Sequence, residues 1–499
     1  MTPKENENRP RIQPRAAGRL PNAYQRWHLY GAGLESVGMA GKPESLPMPT
    51  PGPTEILVRH DACGICYSDI KIINLGGEHP RLAGRDLQTD PVVMGHEVAL
   101  TVVEAGENYR DRFLPGQRFI VQADIFYGGV GLAYGYALPG GMSQYGLIGA
   151  EVIEGDEGCY LLAIDDTTGY AEAALVEPWA CVEAAYRWSD GAGSASEKLV
   201  FESAPTADAF EAACATLAKN TTVHLRFAAP LERLVAVDVG RIHYDGHRYV
   251  GPKSNTRGEL RGGGTTWFVG AAGPMGQMHV QRALQLPHPP KRIVGTDRRD
   301  NRLDALRSRF GALARDRGVE LLLFNVREGD PDFTALAPNG FDDIVVNVPS
   351  LEAIEQGFPL LAENGVLNVF AGVARGTMAR LPIWEVATRN VRIVGTTGST
   401  LADMTRTRDL LEARQLETGA SLAAIGGLHA FRDGLDAVKN GRFPGKTVIF
   451  PQIEDLPLTA LTDLETVRPA VYAKLKNGQL WTAEAEAELM SGRSTTEGS

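Results

Sequence analysis

The pattern of apolar and polar positions differs between the two halves of this 499-residue chain. In the first half, short apolar runs stand between loops. Residues 27–30 and 55–59 read as strands on either side of a Pro-rich stretch at 46–53. Residues 92–105 form a second β-rich stretch, and 118–122 follow Gly116 as a further strand. Residues 126–141 turn rich in Gly and Tyr, and residues 172–188 place apolar side chains at helical spacing.

The second half alternates strand and helix. Residues 265–269 predict a buried strand, 276–286 a helix, 292–296 a strand and 302–310 a helix. The series continues with a strand at 343–347, a helix at 353–362 and a strand at 365–370. Such alternation predicts a parallel sheet with helices on both faces.

Part of this series occurs twice. Pro205-Thr-Ala-Asp-Ala-Phe-Glu211 echoes Pro349-Ser-Leu-Glu-Ala-Ile-Glu355, and Leu217-Ala-Lys-Asn220 echoes Leu361-Ala-Glu-Asn364. Phe227-Ala-Ala then echoes Phe370-Ala-Gly, and Tyr249-Val-Gly251 echoes Ile393-Val-Gly395. Residues 190–262 therefore read as an inserted partial copy of the second half of the sheet domain. The inserted copy follows no glycine-rich motif, so it is expected to cover or extend the sheet rather than bind a nucleotide.

Composition narrows the function. Hydrophobic residues make up 43% and charged residues 22%, which excludes wholesale disorder. Fifty Lys plus Arg against 61 Asp plus Glu give a net charge of −11, a poor match to nucleic acid or an anionic membrane. No apolar run is long enough to span a membrane, and residues 1–20 lack the apolar core of a signal peptide. Five cysteines are sparse and odd in number, the pattern of a reducing compartment, so a cytoplasmic protein is expected.

Two constellations carry chemistry. The turn Gly270-Ala-Ala-Gly273-Pro274-Met275-Gly276 joins a predicted strand to a predicted helix. Glycines there let the backbone approach a pyrophosphate seated at the helix N-terminus. The next strand ends at Asp297, at the spacing of about 20 residues expected of a ribose-binding acid. A carboxylate there favours NAD over NADP, although Arg298 and Arg299 follow it directly. The second constellation is Cys63-Gly-Ile-Cys66-Tyr-Ser68-Asp69, then Gly95-His96-Glu97, then Glu177-Pro178. One thiolate, one imidazole and one or two carboxylates (Cys66, His96, Glu97, Glu177) make a mixed zinc site with a position left open for water or substrate. Such a site polarises an alcohol.

Together these motifs, with the closing run Gly445-Lys-Thr-Val-Ile-Phe-Pro451, resemble the zinc-dependent medium-chain alcohol, sorbitol and polyol dehydrogenases. The resemblance covers residues 23–188 and 263–451 and implies a GroES-like β-rich catalytic domain with a Rossmann coenzyme domain. It implies 23–178 and 399–499 as the catalytic domain and 179–398 as the coenzyme domain; the insertion and the C-terminal extension from Gln452 depart from the family plan, and residues 1–22 read as a flexible tail. It further implies that Cys66 and His96 are metal ligands, that Glu97 is either a direct ligand or a carboxylate that exchanges behind the ligands, and that Glu177 either binds zinc or holds its water. Ser68 is the proton relay, Asp69 orients the zinc site, and Arg302 helps hold the adenosine ribose. The family's structural-zinc cysteines are missing between Gln122 and Gly140, so one catalytic zinc and no structural zinc is expected. Lys71 stands where ethanol-type members carry a relay histidine.

The resemblance predicts NAD-linked oxidation of a secondary alcohol of a polyol, sugar or sugar phosphate by a homo-oligomer. A lyase or dismutase using tightly bound NAD as an internal redox carrier is the alternative. Lys71, His79, Arg81 and Arg85 form a basic run between the ligand cysteine and histidine. They could grip a phosphate or carboxylate, or belong to a solvated loop.

Overall fold

The computed structural model describes residues 20–82, 84–187, 197–253 and 257–491. The expected tail at 1–22 lies almost wholly outside them. The chain divides into two compact units, one from residues up to Ala180 together with those from Ser399, the other Cys181–Gly398.

The first unit is built on a mostly antiparallel sheet. Its order is Thr459–Ala460, Leu422–Gly427, Lys446–Phe450, Ile56–Ile65, Glu97–Ala105, Arg118–Val121 and Leu161–Ala163, with Tyr145–Ile148 also paired to Ile56–Ile65. Ile56, Val58, Val98, Leu100 and Ile449 share one apolar core with Trp27 and Phe431. Residues 124–133, where the family's structural metal loop would fall, form the hairpin Asp124–Tyr127 and Val130–Ala133. The C-terminal extension is built into this unit. Glu486, on the helix Ala483–Ser491, accepts the backbone N–H groups of Tyr170 and Ala171 at 2.5 and 2.8 Å. It thereby satisfies the open N-terminus of the helix Tyr170–Ala174.

The second unit holds eleven described strands, labelled in chain order: β1 (Lys198–Phe201), β2 (Thr222–Leu225), β3 (Val235–Asp238), β4 (Arg248–Val250), β5 (Thr265–Val269), β6 (Arg292–Asp297), β7 (Glu320–Asn325), β8 (Phe341–Val346), β9 (Leu361–Val369), β10 (Met378–Leu381) and β11 (Arg392–Val394). Its helices include α1 (Ala207–Ala215), α2 (Val239–Asp245), α3 (Pro274–Gln285), α4 (Asp300–Asp316) and α5 (Leu351–Gly357). Among the described residues one sheet runs β1-β2-β4-β11-β9-β8-β5-β6-β7. Its second part, β7-β6-β5-β8-β9-β11, has the strand order of a doubly wound dinucleotide-binding sheet, reversing between β5 and β8. All its neighbours are parallel. The inserted segment extends this sheet by β1, β2 and β4.

Some local expectations shift. The helix expected at 353–362 ends at Gly357, and β9 starts at Leu361. Pro359 sits in the intervening 3₁₀ turn, where its missing N–H and fixed φ end the α-helix. The helix expected at 172–188 is two helices, Tyr170–Ala174 and Val176–Ala184. Trp27 and Leu29 are buried, but the strand near them is Ala23–Arg26.

Candidate functional site

Strand register assembles the candidate metal centre. Ile56–Ile65 runs antiparallel to Glu97–Ala105 with Gly64 opposite Glu97. Cys66, just past one strand end, is thereby brought beside His96 and Glu97 at the start of the other. A Cβ on Gly64 would lie 2.0 Å from Oε2 of Glu97, so only glycine leaves room for that carboxylate. On the opposite edge Thr447 pairs with Ile65, which brings Lys446 alongside.

The result is a compact donor set. Ligand atoms of Cys66, His96 and Glu97 all lie within 4.8 Å of one another. Cys66 is the N-cap of the helix Tyr67–Leu75, and its N–H donates to Oδ2 of Asp69 at 2.8 Å. The other oxygen of Asp69 faces Nδ1 of His96 at 3.3 Å, which leaves Nε2 for a metal. One oxygen of Glu97 takes the ammonium of Lys446. The other, Oε2, is buried with no hydrogen-bond partner. An orphaned buried carboxylate oxygen beside a thiol and an imidazole is the environment a zinc ion satisfies, so the residues fit that metal. Ser68 Oγ lies 3.6 Å from the Cys66 sulfur.

Electrostatics follow from this packing. Burial opposes an imidazolium at His96, but Asp69, Tyr136 and Cys66 together outweigh it and raise its pKa well above 6.5. Burial likewise opposes charge on Lys446, yet Glu97 and Cys66 hold it firmly protonated. Burial pushes the Cys63 thiol well up, so this second cysteine is an inert core group.

Glu177, in the helix Val176–Ala184, stands outside the three-residue donor set. Burial pushes its carboxyl up to about 7, with His96 pulling the other way and Glu97 adding to the rise. It is near enough to couple to the centre.

The basic run divides. Arg85 is consumed by structure: it donates to the Asp90 side chain and to the carbonyls of Asp90, Pro91, Tyr136 and Ala137. Arg81 pairs with Asp124 at 2.6 Å and stacks over Tyr136 at 5.2 Å. The Tyr136 ring also lies 5.5 Å from His79 and 5.7 Å from His96. Burial, then Arg81 and Lys71, lower the His79 pKa, which places those three basic groups together. Tyr136 thus joins the basic groups to the metal centre. Sequence reasoning missed Tyr136 and the role of Lys446. The first sat in a run noted only as Tyr-rich, and the second was visible only as part of the closing Gly445-Lys motif.

In the second unit, β5 passes through the glycine turn into α3. Gly270 has φ +73°, and its N–H and that of Ala271 donate to the Thr296 carbonyl at 2.8 and 3.0 Å. A Cβ on Gly276 would come within 2.1 Å of the Gly270 carbonyl oxygen, whereas one on Gly273 would clear it at 3.6 Å. Gly276 is thus demanded by packing. Gly273 is the N-cap of α3, with no side-chain capping bond, and Pro274 and Met275 are its first residues. Asp297 ends β6, the strand beside β5. Arg302, half-buried in the first turn of α4, lies within electrostatic reach of Asp297 and Arg299.

Comparison with known proteins agrees with this architecture. Residues 52–185 match the alcohol dehydrogenase GroES-like domain. The chain is 28% identical over 461 residues to mannitol-1-phosphate 5-dehydrogenase of Aliivibrio fischeri, covering 89% of this chain and 93% of that protein. It is 27% identical over 457 residues to L-sorbose 1-phosphate reductase of Klebsiella pneumoniae, covering 90% and 94%. The fold is similar to that of 2R,3R-butanediol dehydrogenase from Bacillus subtilis, with a TM-score of 0.58 and 16% identity over 86% of this chain and 99% of that one. These similarities support the zinc-type medium-chain alcohol and polyol dehydrogenase family, and the catalytic class is oxidoreductase. Among the described residues, no helix is long and apolar enough to cross a membrane.

Proposed function

We propose that the chain is a zinc- and NAD-dependent dehydrogenase that oxidises a secondary alcohol of a sugar or polyol phosphate, reversibly with reduction of the ketone. The observation that carries this reading is the convergence of Cys66, His96 and Glu97 with a buried, unpartnered Glu97 oxygen. Zinc, when bound, supplies Lewis-acid polarisation of the hydroxyl, and NAD supplies the hydride acceptor.

The chain's own residues do the rest. Cys66 and His96 hold the metal, with Glu97 and Glu177 as the carboxylates available to it or to its water. Asp69 fixes the His96 ring and the Cys66 backbone. Ser68, beside the Cys66 sulfur, receives the hydroxyl proton and passes it outward. Gly270, Gly273, Pro274, Met275 and Gly276 form the pyrophosphate turn. Asp297 accepts from the ribose hydroxyls and disfavours a 2′-phosphate, which supports NAD over NADP. Arg302 supports the same ribose.

Lys71, His79 and Arg81 would meet the substrate phosphate. His79 and Arg81 lie against Tyr136, whose ring is 5.7 Å from that of His96, and Lys71 is near enough to His79 to lower its pKa. Arg suits bidentate phosphate binding. The relatives named for mannitol 1-phosphate and sorbose 1-phosphate point to the same substrate class. No observation favours the internal-redox lyase. The few cysteines, all free among the described residues, support a reducing, cytoplasmic setting for a homo-oligomeric enzyme.

The test is absorbance at 340 nm on mixing the protein with NAD and a panel of polyols and their phosphates, with and without a chelator. A signal with a phosphorylated polyol, abolished by the chelator and restored by zinc, supports the reading. Folded, zinc-loaded protein that is silent with the whole panel overturns it.

A further inference from the structure

The insertion and the sheet it joins are related by a local two-fold axis. Five structural features recur at one constant sequence interval. Thr206 caps α1 by accepting from the Ala209 N–H at 3.2 Å, and Ser350 caps α5 by accepting from the Ala353 N–H at 3.2 Å. Asn220 and Asn364 both adopt φ +61°. Their N–H groups donate to the carbonyls of Asp245 and Arg389 at 2.6 and 2.8 Å. Glu211 accepts from the Ala236 N–H at 2.7 Å, and Glu355 accepts from the Arg380 N–H at 2.7 Å. Thr222 stands opposite Arg248 as Val366 stands opposite Arg392.

The two copies meet through their equivalent residues. β4 pairs antiparallel with β11, and Tyr249 stands opposite Ile393, its own repeat equivalent. β3 pairs antiparallel with β10, and Ala236 stands opposite Arg380, again its own equivalent. Around that pair Val235 meets Leu381 and Val237 meets Ala379, the exchange of partners that defines an isologous contact. A two-fold axis normal to a sheet reverses strand direction, so it demands an antiparallel join. β4–β11 is that join in a sheet whose other neighbours are parallel. Phe210, Val223 and Val237 of the insertion share one core with Ile354, Leu367 and Leu381 of the repeat. This is how two subunits pack, and here one chain does both.

We infer that β10 and β11 form a self-association surface, and that residues 197–253 are a built-in second copy that occupies it. Each chain carries its own partner for this edge, so contacts between chains in any oligomer lie elsewhere. The inference is independent of the proposed substrate and metal.

A cysteine pair on the axis tests it in the full chain. Ala236 and Arg380 direct their N–H groups outward to Glu211 and Glu355, so they form a non-hydrogen-bonded pair. Such pairs bring Cα atoms to about 4.5 Å, within disulfide range. Ala236→Cys/Arg380→Cys, oxidised while folded, should give a disulfide within one chain and a monomer-sized band on a non-reducing denaturing gel. A disulfide-linked dimer band would overturn the built-in partner, and two free thiols in folded protein would overturn the register. A second variant with residues 197–253 excised reads the surface itself. The excised chain, once shown folded by circular dichroism, should double its subunit number in sedimentation relative to the full chain. An unchanged subunit number would overturn the self-association surface. Should the excised chain not fold, the cysteine pair alone decides whether the inference stands.

Discussion

Oδ1 of Asp69 faces Nδ1 of His96 at 3.3 Å while Oδ2 of the same carboxylate accepts the Cys66 N–H at 2.8 Å. One buried side chain therefore positions two of the proposed ligands, which come from different strand ends. Asp69→Asn keeps the shape but removes the charge that orients the imidazole. Zinc affinity, measured by competition with a chromophoric chelator, should fall about 10- to 100-fold. An unchanged affinity would mean that His96 is held by its packing alone.

Lys446 and Glu97 form a fully buried ion pair at that centre. Removing one partner strands the other charge. Lys446→Met should cost about 3–5 kcal/mol in denaturant unfolding of the metal-free protein. The double variant Lys446→Met/Glu97→Gln should recover much of that loss. Equal losses in single and double variants would show that the cost is packing rather than charge.

Two glycines of the same turn should behave differently. Gly276→Ala places a Cβ 2.1 Å from the Gly270 carbonyl oxygen, and Gly273→Ala places one 3.6 Å from it. Gly276→Ala should lower stability by about 1–3 kcal/mol through overpacking. Gly273→Ala should fold normally yet weaken NAD binding, read by nucleotide fluorescence titration, because its methyl stands at the helix N-terminus where a pyrophosphate would sit. Tight NAD binding by Gly273→Ala would move the nucleotide away from this turn.

Much of this was legible in the sequence, and the limits are instructive. The glycine turn, Asp297 and the strand–helix alternation were readable because each is local. The repeat was readable because its two copies kept Pro205/Pro349, Glu211/Glu355 and Asn220/Asn364 in step. The Lys446–Glu97 pair was not, since it joins strand ends far apart in the chain through a register no short window contains. β7 was missed as well, since its apolar run is short and half-exposed. Glu486 at the start of the Tyr170–Ala174 helix was likewise invisible, and its helix looked like an appendage.

Glu486 gives a pH prediction. Burial pushes its carboxyl up to about 7 from 4.5, although two backbone N–H groups pull it down. Between those values the folded protein holds a proton that the unfolded chain releases. The contribution is therefore complete below about pH 4.5 and lost as pH rises through about 7. From pH 5 to 8 the Tm of the wild type should fall relative to that of Glu486→Gln. Parallel Tm profiles would place this carboxyl at its ordinary pKa.

Arg81 and its neighbours carry the proposed substrate class. Arg81→Gln should raise KM for a polyol phosphate about tenfold or more, the value of a charge-assisted hydrogen bond. KM for the unphosphorylated polyol should stay within about twofold, since that substrate lacks the group Arg81 would hold. Equal effects on both substrates would make Arg81 a structural partner of Asp124 alone.

The most direct measurement of the central claim is zinc content against turnover. Apo-protein titrated with zinc should gain NAD-linked activity on a polyol phosphate in proportion to bound metal, with a plateau at one zinc per chain, and Cys66→Ser should bind little zinc and remain silent. Full activity without metal, or a Cys66→Ser variant that keeps both its zinc and its rate, would contradict the assignment of Cys66, His96 and Glu97 as the catalytic zinc site.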